Sequence, residues 1–223
     1  MKGIRILGNR SNWGTGCLCD LSDDPFSSSF LTWNSHGLNP GEGTHFGFVF
    51  EGEALLKVGS RNYPISAGMY FSVPGDLEII PAATGSRGIV MSRHGYEGVF
   101  MLGGPVEEKG RLQYIDGCTD SLLIPPVMMG DPCLNLLHIP PGTEQTQHTH
   151  PSLRLGMIIS GAGECRTPGE VCPLNPGTLF HIPAGGVHSF FTGDDSLRVI
   201  AYHPDSDFGP THENHPMVNK TII

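Results

Sequence analysis

Residues 148–161 read HTHPSLRLGMIISG. In an extended chain residues i and i+2 point to one face, so His148 and His150 look the same way, and Arg154 falls on that face again. Leu153, Leu155, Met157 and Ile159 alternate with Arg154 and point to the other face. Period-two alternation of this kind belongs to a β-strand and not to a helix. The stretch is therefore a strand with polar, ligand-type residues on one side and an apolar row on the other. That row would be costly in water and must pack against another part of the chain or another subunit.

Working outward, the same texture recurs along all 223 residues. THFGFVFEGEALLKV, GMYFSVP, RGIVMSRH, LNLLHIP, TLFHIPAG and LRVIAYHP are short, rich in aromatic and β-branched residues, and bounded by Gly or Pro. With 31 Gly and 19 Pro there is little room for long helices, and no segment shows a sustained 3.6-residue apolar period. The fold class read from this is all-β.

Two blocks are copies of each other. FVFEGEALLKVGSRNYPISAGMYFSVPG returns 109 residues later as MIISGAGECRTPGEVCPLNPGTLFHIPA, setting Gly52 on Gly161, Pro64 on Pro173, Gly68 on Gly177, Phe71 on Phe180 and Pro74 on Pro183. Matched glycines and prolines mean matched turns. Continued without a gap, the same shift sets His94 on His203 and His188 on Ile79. The chain reads as a tandem duplication, with units at 1–112 and 113–223.

His188 follows His150 by 38 residues, just past the turn PAGGV. A returning strand would bring it against the first two histidines. Three neutral imidazoles with open coordination positions suit catalysis by Zn, Fe, Ni, Mn or Cu. Here the sequence resembles the cupin superfamily. Its first motif, G(X)5HXH(X)3–4E(X)6G, is matched by Gly142, His148, His150, Arg154 and Gly161. Its second, G(X)5PXG(X)2H(X)3N, is matched by Gly177, Pro183, Gly185, His188 and Thr192. The spacings agree throughout, and only the Glu and the final Asn depart. The resemblance implies a double-stranded β-helix barrel, duplicated as a bicupin, with a metal held by His148, His150 and His188 in the second unit. The first unit lacks all three histidines, and its His45 stands at the place of Arg154 as a structural imidazole.

Arg154 occupies the position of a carboxylate ligand, yet a guanidinium has no lone pair to give and stays charged at any working pH. A +1 charge about 6 Å from a +2 ion is repelled by roughly 5 kcal/mol at an effective dielectric of about 20. An anion must offset this: either a nearby acid such as Glu144 or Glu164, or the carboxylate of a substrate, which is favoured. His181 lies between Phe180 and Ile182, the inward pair, and is expected on the outer face. His203 is expected to be structural. Cys165 and Cys172 flank PG at 168–169 and should sit opposite each other in a hairpin, as a packing pair of thiols, with a cross-strand disulfide as the alternative.

The formal net charge of −9, with 13 Lys plus Arg and no basic run, argues against a nucleic-acid partner. No segment approaches a membrane-spanning run and the start lacks an apolar leader, so a cytoplasmic protein is expected, with its six cysteines reduced. Cupins lacking the glutamate include several dioxygenases. The resemblance thus implies one divalent transition metal per chain, Fe(II) favoured, in a dioxygenase-type enzyme acting on a small anionic substrate. The alternatives are an isomerase or lyase using Zn, Mn or Ni, and a sensor that only binds. The gentisate type carries an inward arginine that would fall at Gly156. A homodimer through the apolar row is also expected.

Overall fold

The computed structural model describes residues 3–206. Its strands are β1 (Arg5–Gly8), β2 (Gly16–Leu21), β3 (Ser28–Trp33), β4 (Thr44–Glu51), β5 (Glu53–Val58), β6 (Arg61–Ser66), β7 (Tyr70–Pro74), β8 (Glu78–Pro81), β9 (Arg87–Arg93) and β10 (Met101–Gly103). They continue with β11 (Leu112–Gln113), β12 (Thr119–Ile124), β13 (Cys133–Ile139), β14 (Arg154–Gly161), β15 (Gly163–Arg166), β16 (Val171–Leu174), β17 (Leu179–Ile182), β18 (Ser189–Phe191) and β19 (Leu197–His203). A single 3-10 turn, Ile115–Gly117, is the one helical element among the described residues. The all-β expectation holds.

Each half pairs a large sheet with a three-stranded one. In the first half the orders are β10-β7-β4-β9-β3-β2 and β6-β5-β8; in the second they are β1-β17-β14-β19-β13-β12-β11 and β16-β15-β18. The pairing repeats with the sequence: Gly47 faces Phe71 as Gly156 faces Phe180, and Phe48 faces Tyr70 as Met157 faces Leu179. Cys165 faces Cys172 across the β15–β16 hairpin, both as thiols. Burial pushes the Cys165 thiol up to about 12.

The gap-free alignment fails in one place. Leu56 pairs with Ile79 while Cys165 pairs with Phe190, and Phe46 pairs with Met91 while Leu155 pairs with Tyr202. After β17 the second half is therefore two residues longer, and the extra residues lie in the loop that carries His188. By strand register His188 corresponds to Leu77, not Ile79, and His203 to Ser92, not His94. Leu77 is buried in the apolar core of the first half. Where one half presents an imidazole, the other fills the space with hydrocarbon.

Nor does the chain divide cleanly at residue 112. Strand β11 spans that boundary and pairs with β12, and β1, from the start of the chain, pairs with β17 of the second half. The physical reason is the edge of β17. Its row of unpaired backbone groups would otherwise be open, and β1 covers it. Trp13 adds a further tie, donating from Nε1 to the Gly177 carbonyl at 3.1 Å. Residues 207–223 of the expected second unit lie outside the described residues.

The apolar row finds its partner within the chain. Leu153, Leu155 and Met157 pack with Phe30, Phe46, Phe48, Ile89 and Met91 in a core between the two large sheets, and Ile159 lies against it. The rings of Phe46 and Tyr202 meet across this seam at 5.3 Å. The first half already covers this face, so it is not open for the homodimer contact expected of it. No helix of the described residues is long and apolar enough to cross a membrane.

Candidate metal centre

His148 and His188 face each other across a backbone bridge, with His148 N–H to His188 O at 3.0 Å and His188 N–H to His148 O at 3.1 Å. Gly185 N–H donates to the His150 carbonyl at 2.8 Å, so the two-residue-longer loop is pinned to the HTH segment at both histidines. The three rings then converge. Their centroids are 4.5 Å apart for His148 and His188, 5.1 Å for His148 and His150, and 5.2 Å for His150 and His188. One nitrogen from each lies within 4.8 Å of the others, close enough to share a metal ion.

Backbone carbonyls select the tautomer. His148 Nδ1 lies 2.9 Å from the Thr146 carbonyl and His188 Nδ1 lies 2.9 Å from the Gly186 carbonyl. A carbonyl only accepts, so each Nδ1 carries the proton and leaves the Nε2 lone pair for a cation. Burial, with the positive charge of Arg154 adding to it, pushes His150 down to about 2, and burial pushes His188 down to about 4. Both rings are neutral at working pH and compete for a metal without first losing a proton. The donor set fits a divalent transition metal.

The rings open on a cavity of about 60 Å³ lined by Tyr114, Asp120, Leu137, Gln145, Arg154, Phe180, Ile182, Phe190, Val199, Ala201 and His203 besides the three histidines. Strand register explains the lining. Arg154 faces Ile182, Gly156 faces both Phe180 and Ala201, and Ile158 faces Val199. Arg154 is buried, and its Nη1 donates to the carbonyls of Ser152 and Leu153 at 3.1 and 2.9 Å and to Ser152 Oγ at 2.8 Å. The place expected for a gentisate-type arginine is closed: a side chain at Gly156 would run into the Phe180 ring and the Ile200 carbonyl.

Of the acids weighed as partners of Arg154, Glu164 is ion-paired with Arg166, and Glu144 is exposed and bridges by its backbone to Phe191. His181 is buried but absent from the cavity wall, as its parity requires. His45 in the first half is satisfied at both nitrogens, with Ser92 Oγ at 2.8 Å and the Gly75 carbonyl at 3.0 Å. Two further residues reach the cavity wall that the motif does not include. His203 lines the cavity with its ring 6.3 Å from that of His150, and burial holds it well below its usual range. Asp120 went unnoticed. It is an acid in a strand whose neighbours Leu122 and Ile124 share its parity, and that misplaced charge was the available signal.

Residues 135–203 match the family profile of the cupin domain (Cupin_2). The fold is a cupin barrel. Over 69 residues the chain is 36% identical to a 5-nitrosalicylic acid 1,2-dioxygenase of a Bradyrhizobium species, a stretch that makes up 30% of this chain and 32% of that protein. The match thus spans about a third of that relative's length. Among solved structures the cupin fold superposes on a Cupin 2 conserved barrel domain protein from Leptotrichia buccalis, with a TM-score of 0.60, 12% identity, and 88% and 91% of the two chains covered. It also superposes on a salicylate 1,2-dioxygenase from Pseudaminobacter salicylatoxidans, with a TM-score of 0.55, 13% identity, and 79% and 70% covered. At these identities the structural likeness establishes the fold.

The depressed histidines set a pH dependence. Their folded pKa values lie below the unfolded value of about 6.5, so below that pH the unfolded chain takes up protons that the folded chain refuses. Stability from these groups is complete above pH 6.5 and is lost as pH falls toward 4. Asp120, pushed up to about 6 by burial, works in the opposite sense between pH 6 and 3.8, but one carboxyl opposes several imidazoles. The unfolding midpoint of metal-free protein should fall on acidification across this window, and His188→Gln should make the fall shallower. Equal slopes would contradict the assignment.

Proposed function

We propose that this cupin is a mononuclear non-heme iron dioxygenase acting on a small carboxylate. In this reading His148, His150 and His188 hold Fe(II), and Arg154 turns its positive charge toward the substrate's carboxylate. The observation that carries it is the set of three convergent imidazoles opening on a cavity that the Arg154 guanidinium also lines. The match of residues 135–203 to a cupin domain and the partial identity to a nitrosalicylate dioxygenase support it. Bound Fe(II) would supply the activation of dioxygen. The chain's own residues bind and orient: carbonyls of Thr146 and Gly186 aim the imidazoles, Ser152 and Leu153 anchor the guanidinium, and Phe180, Ile182, Phe190 and Val199 give the cavity apolar walls. Three neutral ligands leave the charge of a dication uncompensated, and a carboxylate substrate would bring the missing negative charge. The repeated strand pairing further supports a bicupin, with the first barrel lacking metal ligands.

The test is metal analysis of freshly purified protein, followed by oxygen-uptake measurements with small aromatic and aliphatic carboxylates. Iron at one per chain with substrate-dependent uptake is the expected result. Tightly held zinc without uptake would replace this reading with a non-oxidative one, an isomerase or lyase. A site that stays empty in metal-rich medium would leave a binding protein. Arg154→Gln should keep the metal yet weaken binding of small carboxylates about tenfold or more, measured by isothermal titration. Equal affinities would make Arg154 a structural residue.

A further inference from the structure

Between β11 and β12 the chain makes a short closed turn, with Tyr114 N–H donating to the Cys118 carbonyl at 2.9 Å and Cys118 N–H to the Ile115 carbonyl at 3.1 Å. At its tip Asp116 adopts φ 55° and ψ 38°, the one non-glycine residue with positive φ among the described residues. Aspartate tolerates this left-handed conformation better than most side chains, but glycine would take it with no penalty from a Cβ. The carboxylate gives the conformation a use. Its Oδ2 accepts the backbone N–H of Thr146 at 2.7 Å, 30 residues further on. The turn meets the same segment twice more. Cys118 Sγ accepts from Gln145 Nε2 at 3.7 Å, and the Tyr114 ring stands edge-on to the His148 ring with centroids 6.4 Å apart.

Thr146 matters because its carbonyl lies 2.9 Å from His148 Nδ1 and selects the tautomer of that ring. On one side of Thr146 the backbone is anchored at Gln145, whose N–H reaches the Phe190 carbonyl at 3.0 Å; on the other it is anchored at His148 by the bridge to His188. Between these anchors, the bond from Thr146 to Asp116 is the one that ties a backbone N–H of residues 146 and 147 to another part of the described chain. We propose that Asp116 is a positioning residue for the candidate metal ligand His148: its carboxylate fixes Thr146, whose carbonyl holds the proton on Nδ1 and keeps the Nε2 lone pair free for a metal. This rests on the assignment of His148 as a ligand and not on the dioxygenase reading. The bond to Thr146 is charge-assisted, which suits a contact that must hold at the surface. A metal-binding imidazole depends on the partner of its second nitrogen, and Asp116 stands one step beyond that partner.

Titration of the full chain with cobalt(II), in wild type and two variants, tests this. Asp116→Gly removes the acceptor while relaxing the left-handed backbone, so a residue that served the turn alone would lose nothing by it. Asp116→Asn keeps both an acceptor oxygen and the tolerance of positive φ. The glycine variant should bind cobalt about threefold to tenfold more weakly than wild type, and the asparagine variant should recover most of that loss. Imidazole nitrogen-15 signals of the metal-free proteins give a second readout. His148 should show the Nδ1–H tautomer alone in wild type and in Asp116→Asn, and a mixture with Nε2–H in Asp116→Gly. Should glycine cost the fold, Asp116→Ser, whose hydroxyl stops short of Thr146, takes its place. Wild-type cobalt affinity in the glycine variant, an unchanged His148 tautomer there, or an asparagine variant no better than glycine overturns the proposal. If wild type binds no cobalt, the ligand assignment of His148 falls, and the tautomer comparison alone decides for or against Asp116.

Discussion

His188→Ala should reduce bound metal from one ion per chain to near zero, with the β-sheet circular dichroism unchanged. The expectation follows from how the site is assembled. His148 and His150 come from one extended segment, and two imidazoles alone leave a divalent ion with half of a tetrahedral shell. His188 comes from a different loop, locked against that segment by reciprocal backbone hydrogen bonds that a change of side chain leaves intact. The barrel core is built from apolar side chains and not from the metal, so the fold should survive. Elemental analysis and circular dichroism of wild type and variant decide it. Full metal occupancy in the variant, or a second ion per wild-type chain, would defeat the assignment of ligands.

The double change Leu155→Lys and Met157→Lys should prevent folding altogether. Both residues are 0% exposed and lie in the seam between the two large sheets. Removing each apolar side chain forfeits about 1.5–3 kcal/mol, and forcing an ammonium into the seam adds several kcal/mol more. Two such losses approach the whole stability of an ordinary domain, about 5–15 kcal/mol. The expected result is insoluble or unfolded protein by circular dichroism and proteolysis. Were the row a subunit interface instead, the same variant would be a folded monomer at half the mass in solution. A folded variant of unchanged mass would mean that the seam has been misplaced.

The sequence was sufficient for the features that depend on local period and spacing. Alternation in RLGMIISG fixed a strand and its two faces, and Gly–Pro punctuation at a 109-residue shift exposed the internal copy. The strand expected over 148–161 begins only at Arg154, but HxH in the segment ahead of it, with a third histidine after a glycine turn, still identified the candidate ligands, because i and i+2 side chains share a face where the chain is extended. It also placed His181 outside the cavity, for the same reason. The tertiary structure decided what parity leaves open. The apolar row of β14 had to be covered, and the choice between a second subunit and the first half depends on how two sheets stack, which no local pattern encodes. The edge of β17 could have been closed by any strand; β1, from the start of the described chain, closes it by pairing Arg5 with His181. The two extra residues before His188 were invisible to a gap-free alignment, because a register shift shows only in which residues pair. Asp120 and His203 lie on strands far from the motif, and they meet its histidines only because the barrel closes. Ligand identity is written along one short segment ahead of β14 and one turn, while the charged and titratable groups that share the cavity come from sheet closure.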